Sequence, residues 1–511
     1  MIQKNYWKTL TEEVFQKKLL MVFVLLTTAL CFGFTITNYS IGVDDIAREY
    51  YLYSNKIGNM IQQGRILHVV FNWLTGTVDF IPYFNDFVGA VLYALSALLY
   101  CALFQYITDR KLSQASLICF ACVYISSSIL AEKYIYNLDV VVTLLSYCCS
   151  AIALMYAYRF VKEKRISLFW KSIPVLMVAI ASYETFIFLY FCGVFAVFLL
   201  EMLVNQEKKT FVQILQEGIR YALILLVSMA LYYGLVAVLR RIVPSEVPYA
   251  RYNALEEFGL GLWGTFVMLT ESIFDRFGAA FAEGYVPIIV FGILSVIGAV
   301  FFAILSIKRK NIWLIVCFAA LWVGNLFVHY VTGGFTSRAA QTFCFFTGFV
   351  VLVLINTVGT RKLCRNLLIA GAALLVFVQS ADMNRWFYND YLRYRKEVFV
   401  VDTLANKVAM EYDASKPLIF TNAPIHGYLN EALYEGRQVN GNSVIYWTGY
   451  AFGDKTQPFI AELFRMHGYD FIVSPTPEQY DQAMIEAESM PVWPAAGSVQ
   501  EFEEFIVVNF G

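Results

Sequence analysis

Two adjacent carboxylates, Asp44 and Asp45, follow the first strongly apolar run of the sequence, in the stretch YSIGVDDIAREYYLY at 39–53. An aspartate there could act as a general base, and the pair could bind a hard divalent cation such as Mg²⁺ or Mn²⁺. Aspartate is also a preferred helix N-cap. Because neighbouring residues on a helix point about 100° apart, we expect one aspartate to cap a helix and the other to react.

Basic side chains that could bind a phosphate group occur at three further places. Arg65 follows a glycine at the start of a helical pattern, where its planar guanidinium could hold a phosphate or extend to lipid headgroups. Lys133 lies in AEKYIYNLD between two apolar runs, where it could bind a lipid phosphate or pair with Glu132. Arg338 lies in HYVTGGFTSRAAQ, close to a pair of glycines.

Three other side chains are candidates for contacts with a substrate. Tyr183 and Glu184 lie in the stretch SYE, which separates two apolar runs. Glu184 could contact a polar substrate there, or it could be a solvated turn residue. His329 lies at the end of another apolar run, where a lone histidine is more often a structural group than a base.

The composition indicates the class of protein that carries these residues. Of the 511 residues, 59% are hydrophobic and 15% are charged, whereas soluble domains have about 25% charged residues. Repeated apolar runs near 20 residues predict a polytopic α-helical membrane protein. We predict about eleven spans, at 19–38, 84–107, 113–131, 138–159, 169–182, 184–203, 219–242, 285–307, 311–330, 340–357 and 366–380. The net charge of -1 gives no basic surface for nucleic acid.

The distribution of basic residues predicts the orientation of the chain in the membrane. Lysine and arginine are concentrated before the first predicted span and in every second loop after it. By the positive-inside rule, the N-terminus is therefore cytoplasmic and the loop at 39–83 is exterior. An odd number of spans also places 381–511 outside.

We divide the chain into a transmembrane domain at 1–380, which carries the candidate catalytic residues, and an exterior α/β domain at 381–511. The exterior loop at 39–83 has apolar residues at helical spacing, which predicts amphipathic helices in the headgroup plane. A second exterior segment at 243–284 has the same character. After residue 380, predicted helices alternate with strands, which favours a small α/β domain. The predicted strands are 418–424, 470–474 and 502–511.

Several short motifs carry a resemblance to a known family. IGVDD followed by QGR in the first exterior loop, SYETF between two spans, and the terminal MPVWPAAGSVQEFEEFIVVNFG resemble the bacterial type II glucosyl transferases, which are serotype-converting enzymes that decorate O-antigen and related glycans. The family typically has an aromatic residue after GR, where this sequence has Ile66. The resemblance implies a glycosyltransferase C-like bundle in the bacterial plasma (inner) membrane, with a catalytic carboxylate in the first exterior loop.

The resemblance also implies an activity. The donor would be undecaprenyl phosphate glucose, and the acceptor a lipid-linked or surface glycan. Asp44 or Asp45 would take the proton of the acceptor hydroxyl, and Arg65, with Lys133 or Arg338, would stabilise the phosphate that leaves. This single displacement would invert the anomeric configuration. No cofactor is certain, although Asp44 and Asp45 could hold a divalent cation.

Other interpretations are open at this level. A related transferase could move another polyprenyl-phosphate sugar, such as mannose or arabinose, or act as a glycan polymerase, because sugar choice depends on hydroxyl contacts that linear spacing does not reveal. A lipid or solute transporter would be expected to have internal repeats. The sequence has no convincing repeat, and its charged candidates collect at one face of the membrane, which favours the enzyme.

Overall fold

A bundle of long helices forms most of this computed structural model, and a small sheet lies near the C-terminus. The structure describes residues 6–53, 57–75, 81–244, 261–332, 339–358, 362–422, 443–446 and 457–511. Its helices are α1 (Tyr6–Leu10), α2 (Lys18–Thr37), α3 (Val43–Tyr53), α4 (Ile57–Gln62), α5 (Ile66–Thr75), α6 (Pro82–Ile107), α7 (Gln114–Ile125), α8 (Ala131–Ile135), α9 (Asn137–Glu163), α10 (Ile166–Ser182), α11 (Phe186–Leu203), α12 (Phe211–Ile242), α13 (Gly261–Ala282), α14 (Val286–Arg309), α15 (Trp313–Val331), α16 (Phe343–Val358), α17 (Lys362–Glu411), α18 (Val444–Tyr446), α19 (Pro458–Met466) and α20 (Pro477–Ala487). Its strands are β1 (Leu418–Thr421), β2 (Val499–Glu501) and β3 (Ile506–Asn509).

The long helices match the predicted spans. Among the described residues, nine helical segments are long and apolar enough to cross a membrane: α2, α6, α7 with α8, α9, α11, α12, α14, α15 and α17. The shorter apolar helices α10 and α16 lie at the predicted spans 169–182 and 340–357. Residues 183–185 separate α10 from α11, as predicted. The prediction of a polytopic α-helical membrane protein is confirmed, with nine of the eleven predicted spans matched by long segments and two by the shorter helices.

The start of α9 is fixed against the start of α6. A Cβ atom at Gly89 of α6 would collide with Val140, so glycine allows the two helices to approach closely. Asn137 Nδ2 donates to Asp86 Oδ1 at 2.8 Å, and Asn85 Nδ2 donates to Asn137 Oδ1 at 3.0 Å. The first turn of α9, which also carries Asp139, therefore has a defined position beside the first loop.

The first loop forms the amphipathic helices that the sequence predicts. The apolar spacing from Asp45 onward corresponds to α3 and α4, and RILHVVFNWLTG corresponds to α5. Gly64 separates α4 from α5 with a positive φ of 76°, a conformation that glycine adopts without steric cost. The predicted end of α5 at Gly76 lies outside the described residues.

The second predicted exterior segment, 243–284, contains α13. This helix packs against α14 and α15, while Trp263 and Phe274 on it are exposed. Exposed aromatic residues beside charged ones suit a helix at the membrane interface. Residues 245–260 of the segment lie outside the described residues.

The C-terminal region is built on α17, a helix of 50 residues that continues through the predicted boundary at 380 without a break. The predicted strands 418–424 and 502–511 contain β1 and β3, which pair in parallel, and β2 pairs antiparallel with β3. The predicted strand at 470–474 is wrong. Leu418 N donates to Val473 O at 3.3 Å, but Val473 is 45% exposed and the stretch adopts no strand conformation. The third strand is β2 instead.

Residues at the start of α3 belong to the core of this C-terminal region. Ile41 and Ile46 are buried in one apolar cluster with Leu404, Phe464 and Val508. Full burial of one isoleucine side chain contributes about 1.5–3 kcal/mol. The first loop is therefore held to the C-terminal region as well as to the bundle.

The opposite end of the bundle contains a buried ionic cluster. The carboxylate of Glu201, at the end of α11, lies 2.6 Å from Lys162 Nζ and 2.7 Å from Lys209 Nζ. Lys209 Nζ also lies 2.5 Å from Glu217 Oε2. The two lysines and two glutamates neutralise one another, which allows Glu201 and Lys209 to be buried.

We expect Lys209→Met to lower the free energy of unfolding by up to about 3 kcal/mol, because Glu201 would keep Lys162 but lose its second cation. Lys208→Met is the matched control, since Lys208 is exposed. Thermal unfolding of both variants in detergent measures the difference. Equal melting temperatures for the two variants would contradict the stabilising role of the cluster.

Candidate active site

A cavity of about 820 Å³ lies where the first-loop helices meet the bundle. This volume is within the range of roughly 300–1,000 Å³ for small-molecule sites. Its polar lining comes from α3, from the turn between α4 and α5, and from the turn between α10 and α11. Its apolar lining comes mainly from α11, α12 and α15, and includes Phe327 and Val331. These two side chains are also 50% and 60% exposed on the outer surface of the bundle, so the cavity opens towards an apolar surface.

Helical spacing determines which residues of α3 line the cavity. Asp44, Arg48 and Tyr51 all line it, and they lie four and three residues apart on one face of the helix. Asp45 and Glu49 lie on a different face and are buried at 1% exposure each. The structure therefore brings Asp44 to the cavity and separates it from Asp45.

Asp45 instead joins two helix starts. Its Oδ2 accepts a hydrogen bond from Gly42 N at 3.1 Å, and its Oδ1 accepts one from Leu138 N, in the first turn of α9, at 3.0 Å. Burial raises the pKa of Asp45 to about 7, although the two backbone hydrogen bonds and Arg48 favour the charged form. This arrangement is that of a capping residue.

A buried carboxylate, Asp139, lies close to two guanidinium groups and one imidazole ring. The guanidinium of Arg48 contacts it directly, Arg65 Nη1 lies 3.6 Å from its Oδ2, and His68 Nδ1 lies 3.4 Å from its Oδ1. One carboxylate thus faces two guanidinium groups, and both guanidinium residues line the cavity. Both guanidinium groups therefore offer N–H donors to an anion in the cavity.

His68 supports this cluster as a neutral ring. Burial, followed by the charges of Arg48 and Arg65, lowers the pKa of His68 well below its ordinary value. Its Nδ1 lies 3.1 Å from Arg48 Nη1, and its Nε2 lies 3.4 Å from Ser182 O. A neutral tautomer that donates from Nε2 to Ser182 and accepts at Nδ1 from Arg48 satisfies both contacts. Burial and Arg65 also lower the pKa of Arg48 to about 9, so Arg48 stays charged at neutral pH.

The backbone before Arg65 is held by α12. Tyr232 Oη donates to Gly64 O at 2.7 Å, and Arg240 donates to Gln62 O. A Cβ atom at Gly64 would lie 2.8 Å from Tyr232 Oη, so this contact requires glycine. The turn therefore presents Arg65 to the cavity from a fixed backbone.

The other candidates near the cavity form a second group. Tyr183 and Glu184 line the cavity from the turn between α10 and α11. Lys133 is buried at 6% exposure, and its Nζ lies 3.6 Å from the centre of the Tyr183 ring. This distance is that of a cation–π contact. Lys133 therefore supports a cavity residue and adds positive charge to the same region.

The remaining two candidates lie elsewhere. The structure does not bring His329 to the cavity formed by the described residues, since its buried ring packs 5.9 Å from Phe277 and 6.1 Å from Phe343, measured between ring centres. Arg338 lies outside the described residues.

The sequence alone did not identify three residues of this cluster as candidates: Arg48, His68 and Asp139. Arg48 was detectable, because it follows Asp44 by four residues on a predicted helix and must share its face. Asp139 lies at the start of a predicted span, where a carboxylate is costly and marks a candidate site. No feature of the sequence around His68 indicates its role, since its partners come from distant segments of the chain.

The predicted metal site has little support in the geometry. The described residues contain no group of three or more His, Cys, Asp or Glu side chains that could hold a metal ion. Both oxygens of Asp45 accept backbone N–H groups. Within the described ranges, a site built from Asp44 and Asp45 together therefore does not fit, and Arg48 and Arg65 can supply positive charge instead.

We expect Asp45→Asn to change how stability depends on pH. Because the folded state raises the pKa of Asp45 to about 7, from about 4 when unfolded, protonated Asp45 contributes stability that is lost as the pH rises through 7. The melting temperature of the parent minus that of the variant should therefore fall between about pH 4 and about pH 7 and level off above that. Asp470→Asn, at an exposed position, controls for the substitution. A difference that does not vary with pH would contradict the titration of Asp45.

Comparison with solved structures finds ArnT from Cupriavidus metallidurans bound to undecaprenyl phosphate. The match has 14% sequence identity and a TM-score of 0.30, and it covers 80% of this chain and 83% of that chain. No curated protein sequence matches the chain.

Comparison with protein families gives a match over most of the membrane-embedded part. The profile of the glucosyl transferase GtrII family matches residues 33–355, which include all three first-loop helices, α9 and the cavity. The match agrees with the resemblance carried by IGVDD, QGR and SYETF. The chain is a membrane glycosyltransferase that belongs to the glucosyl transferase GtrII family.

Proposed function

We propose that the enzyme transfers glucose from undecaprenyl phosphate glucose to a surface polysaccharide of the O-antigen type, with inversion at the anomeric carbon. One observation carries the proposal: Asp44, Arg48 and Arg65 line a single cavity that also has an apolar lining. A carboxylate, a cationic pair and an apolar surface match the three chemical parts of the reaction, which are the acceptor hydroxyl, the phosphate and the polyprenyl chain.

Asp44 is the general base in this mechanism. Its carboxylate takes the proton of an acceptor hydroxyl as that oxygen attacks the anomeric carbon of the donor. Asp44 lines the cavity, whereas both oxygens of Asp45 accept backbone N–H groups. This difference in environment supports Asp44 over Asp45 as the base.

Arg48 and Arg65 bind the donor phosphate. When the bond between the anomeric carbon and the phosphate oxygen breaks, the phosphate keeps the electron pair, and its charge changes from that of a diester to that of a monoester. Positive groups already in place stabilise this developing charge more than they stabilise the ground state. Asp139 keeps the two guanidinium groups together at the cavity.

The apolar lining supports a donor carried by a lipid. Phe327 and Val331 belong both to the cavity lining and to the exposed apolar surface of α15. In a membrane protein this surface faces lipid, so a polyprenyl chain could remain in the bilayer while its phosphate reaches Arg48 and Arg65. A soluble nucleotide sugar would have no use for such a lining.

Sugar contacts and orientation complete the proposal. Tyr183 and Glu184 line the cavity and can contact hydroxyl groups of glucose or of the acceptor.

By the positive-inside rule, the first loop and the C-terminal region face the exterior of the bacterial inner membrane, where surface glycans are assembled. Glucose as the donated sugar rests on the family match.

We expect Asp44→Asn to lower transfer by about 100- to 10,000-fold, because the amide cannot accept the proton. Asp45→Asn is the matched variant, and it should retain transfer per folded molecule to within about tenfold. The assay uses purified protein, labelled undecaprenyl phosphate glucose and glycan from the native host. The reverse order of the two effects would make Asp45 the base. Preferred transfer from the mannose or arabinose donor would refute glucose as the sugar.

We expect Arg65→Met to weaken binding of undecaprenyl phosphate by about 10- to 100-fold, since a charge-assisted phosphate contact contributes about 1.5–3 kcal/mol. Arg241→Met, at an exposed position on α12, is the control. Binding to both variants can be measured by calorimetry in detergent. Equal affinities would exclude Arg65 from the phosphate site.

A further inference from the structure

A second buried ionic cluster lies between the first loop and α17, away from the cavity. It contains Arg393 at 2% exposure, Asp390 at 1% and Glu397 at 0%. The three residues are spaced at helical intervals on α17, so they share one face. The mechanism proposed above uses none of them.

The guanidinium of Arg393 donates hydrogen bonds to three different partners. Its Nη2 donates to Ile41 O at 2.7 Å, its Nε donates to Asp390 Oδ1 at 3.2 Å, and its Nη1 donates to Glu397 Oε2 at 2.6 Å. Asp390 in turn accepts a hydrogen bond from the hydroxyl of Ser40. Arg393 and Asp390 thus hold two consecutive residues of the chain that leads into α3.

The same cluster reaches into the C-terminal region. Glu397 Oε1 accepts hydrogen bonds from Ser443 Oγ and from Ile445 N, each at 3.0 Å. The segment that carries Asp44 and the segment at 443–446 are therefore joined through a single helix face. A buried ionic cluster of this kind gives little net stability compared with apolar residues of similar size. Its more direct effect is to fix geometry.

Besides the contact of Asp45 with Leu138 N, two anchors hold α3 on either side of Asp44. Residues Ser40 and Ile41 are tied to α17 through Asp390 and Arg393. One turn beyond Asp44, Arg48 is tied to Asp139 of α9. The first anchor lies close to the proposed base, and the second lies within the proposed phosphate site.

We propose that Arg393 is a positioning residue, which sets the location of Asp44 relative to the donor phosphate through Ile41 and Ser40. The inference rests on the proposed function. Loosening the first anchor should displace Asp44 while Arg48 and Arg65 stay tied to Asp139. Catalytic turnover should then fall although the affinity for the donor lipid is retained, because a shift of about 1 Å in a reacting group can cost about 100-fold in rate.

The test uses two variants of different severity. Arg393→Lys keeps the charge but cannot make all three contacts. Ser40→Ala removes one hydroxyl that is only partly buried, so the fold should persist even if the first variant does not fold. Arg395→Lys is the matched control, since Arg395 is exposed on the same helix.

The measurements are kcat at saturating donor and acceptor, and the Kd for undecaprenyl phosphate on the same full-length protein in detergent. We expect kcat per binding-competent molecule to fall by about 10- to 100-fold for Arg393→Lys and by about 5-fold for Ser40→Ala, with Kd within about twofold of the parent. The control should match the parent in both quantities. A purely structural role would reduce the number of molecules that bind the lipid but not kcat per binding site.

The outcomes separate this inference from the proposed function. If the parent protein transfers glucose and neither variant loses kcat per binding site, or if kcat and affinity fall in proportion, the inference is overturned. If Arg393→Lys does not bind the lipid at all, Ser40→Ala decides by the same criterion. If the parent does not transfer glucose from undecaprenyl phosphate glucose, the proposed function fails, and the positioning role fails with it.

Discussion

The site depends on a single buried carboxylate. Asp139 lies in the first turn of α9, where it faces Arg48 of α3 and Arg65 in the turn between α4 and α5. Without this acceptor, two guanidinium groups would repel each other in a poorly solvated place. The contacts of Gly89 and Asn137 fix α9 against α6. The packing of the bundle core therefore sets the position of Arg48 and Arg65. The first loop alone does not determine it.

The adjacent residues Asp44 and Asp45 lie in different environments on the same helix, α3. Asp44 and Arg48 face the cavity, while Asp45 and Glu49 face protein. Asp45 accepts from Leu138 N, and Glu49 lies 3.2 Å from Arg465 of the C-terminal region. Each side of α3 therefore has its own task. One side lines the cavity, and the other side is held by the protein.

Much of the fold was predictable because the bilayer imposes simple rules. A span needs about 20 apolar residues, and this requirement alone gives the positions of the membrane helices. The 3.6-residue period likewise predicts α3, α4 and α5 from apolar spacing. The sheet was harder. The stretch DFIVS at 470–474 has strand composition but forms no ladder, whereas the short polar stretch Val499–Glu501 does. Pairing with β3 decides this, and local composition does not encode it.

The candidate site was predictable only in part. Asp44, Arg65, Tyr183 and Glu184 were identified by type and location, and they line one cavity. The contacts of Asp139 with Arg48 and of Arg393 with Ile41 join segments far apart in sequence. No spacing rule links such residues, so their roles emerge only from tertiary structure.

The length of α17 has a mechanical consequence. Its 50 residues span about 75 Å at 1.5 Å per residue, and roughly 30 Å of that crosses the hydrocarbon core of a bilayer. The rest of α17 is a rigid helix that sets the distance of the sheet and of its surrounding helices from the lipid. A helix without a break allows little independent swing of the C-terminal region. If the acceptor is the surface polysaccharide proposed above, it would have to approach an opening of fixed height, and its length and flexibility, more than any domain motion, would determine which of its hydroxyl groups can reach the cavity.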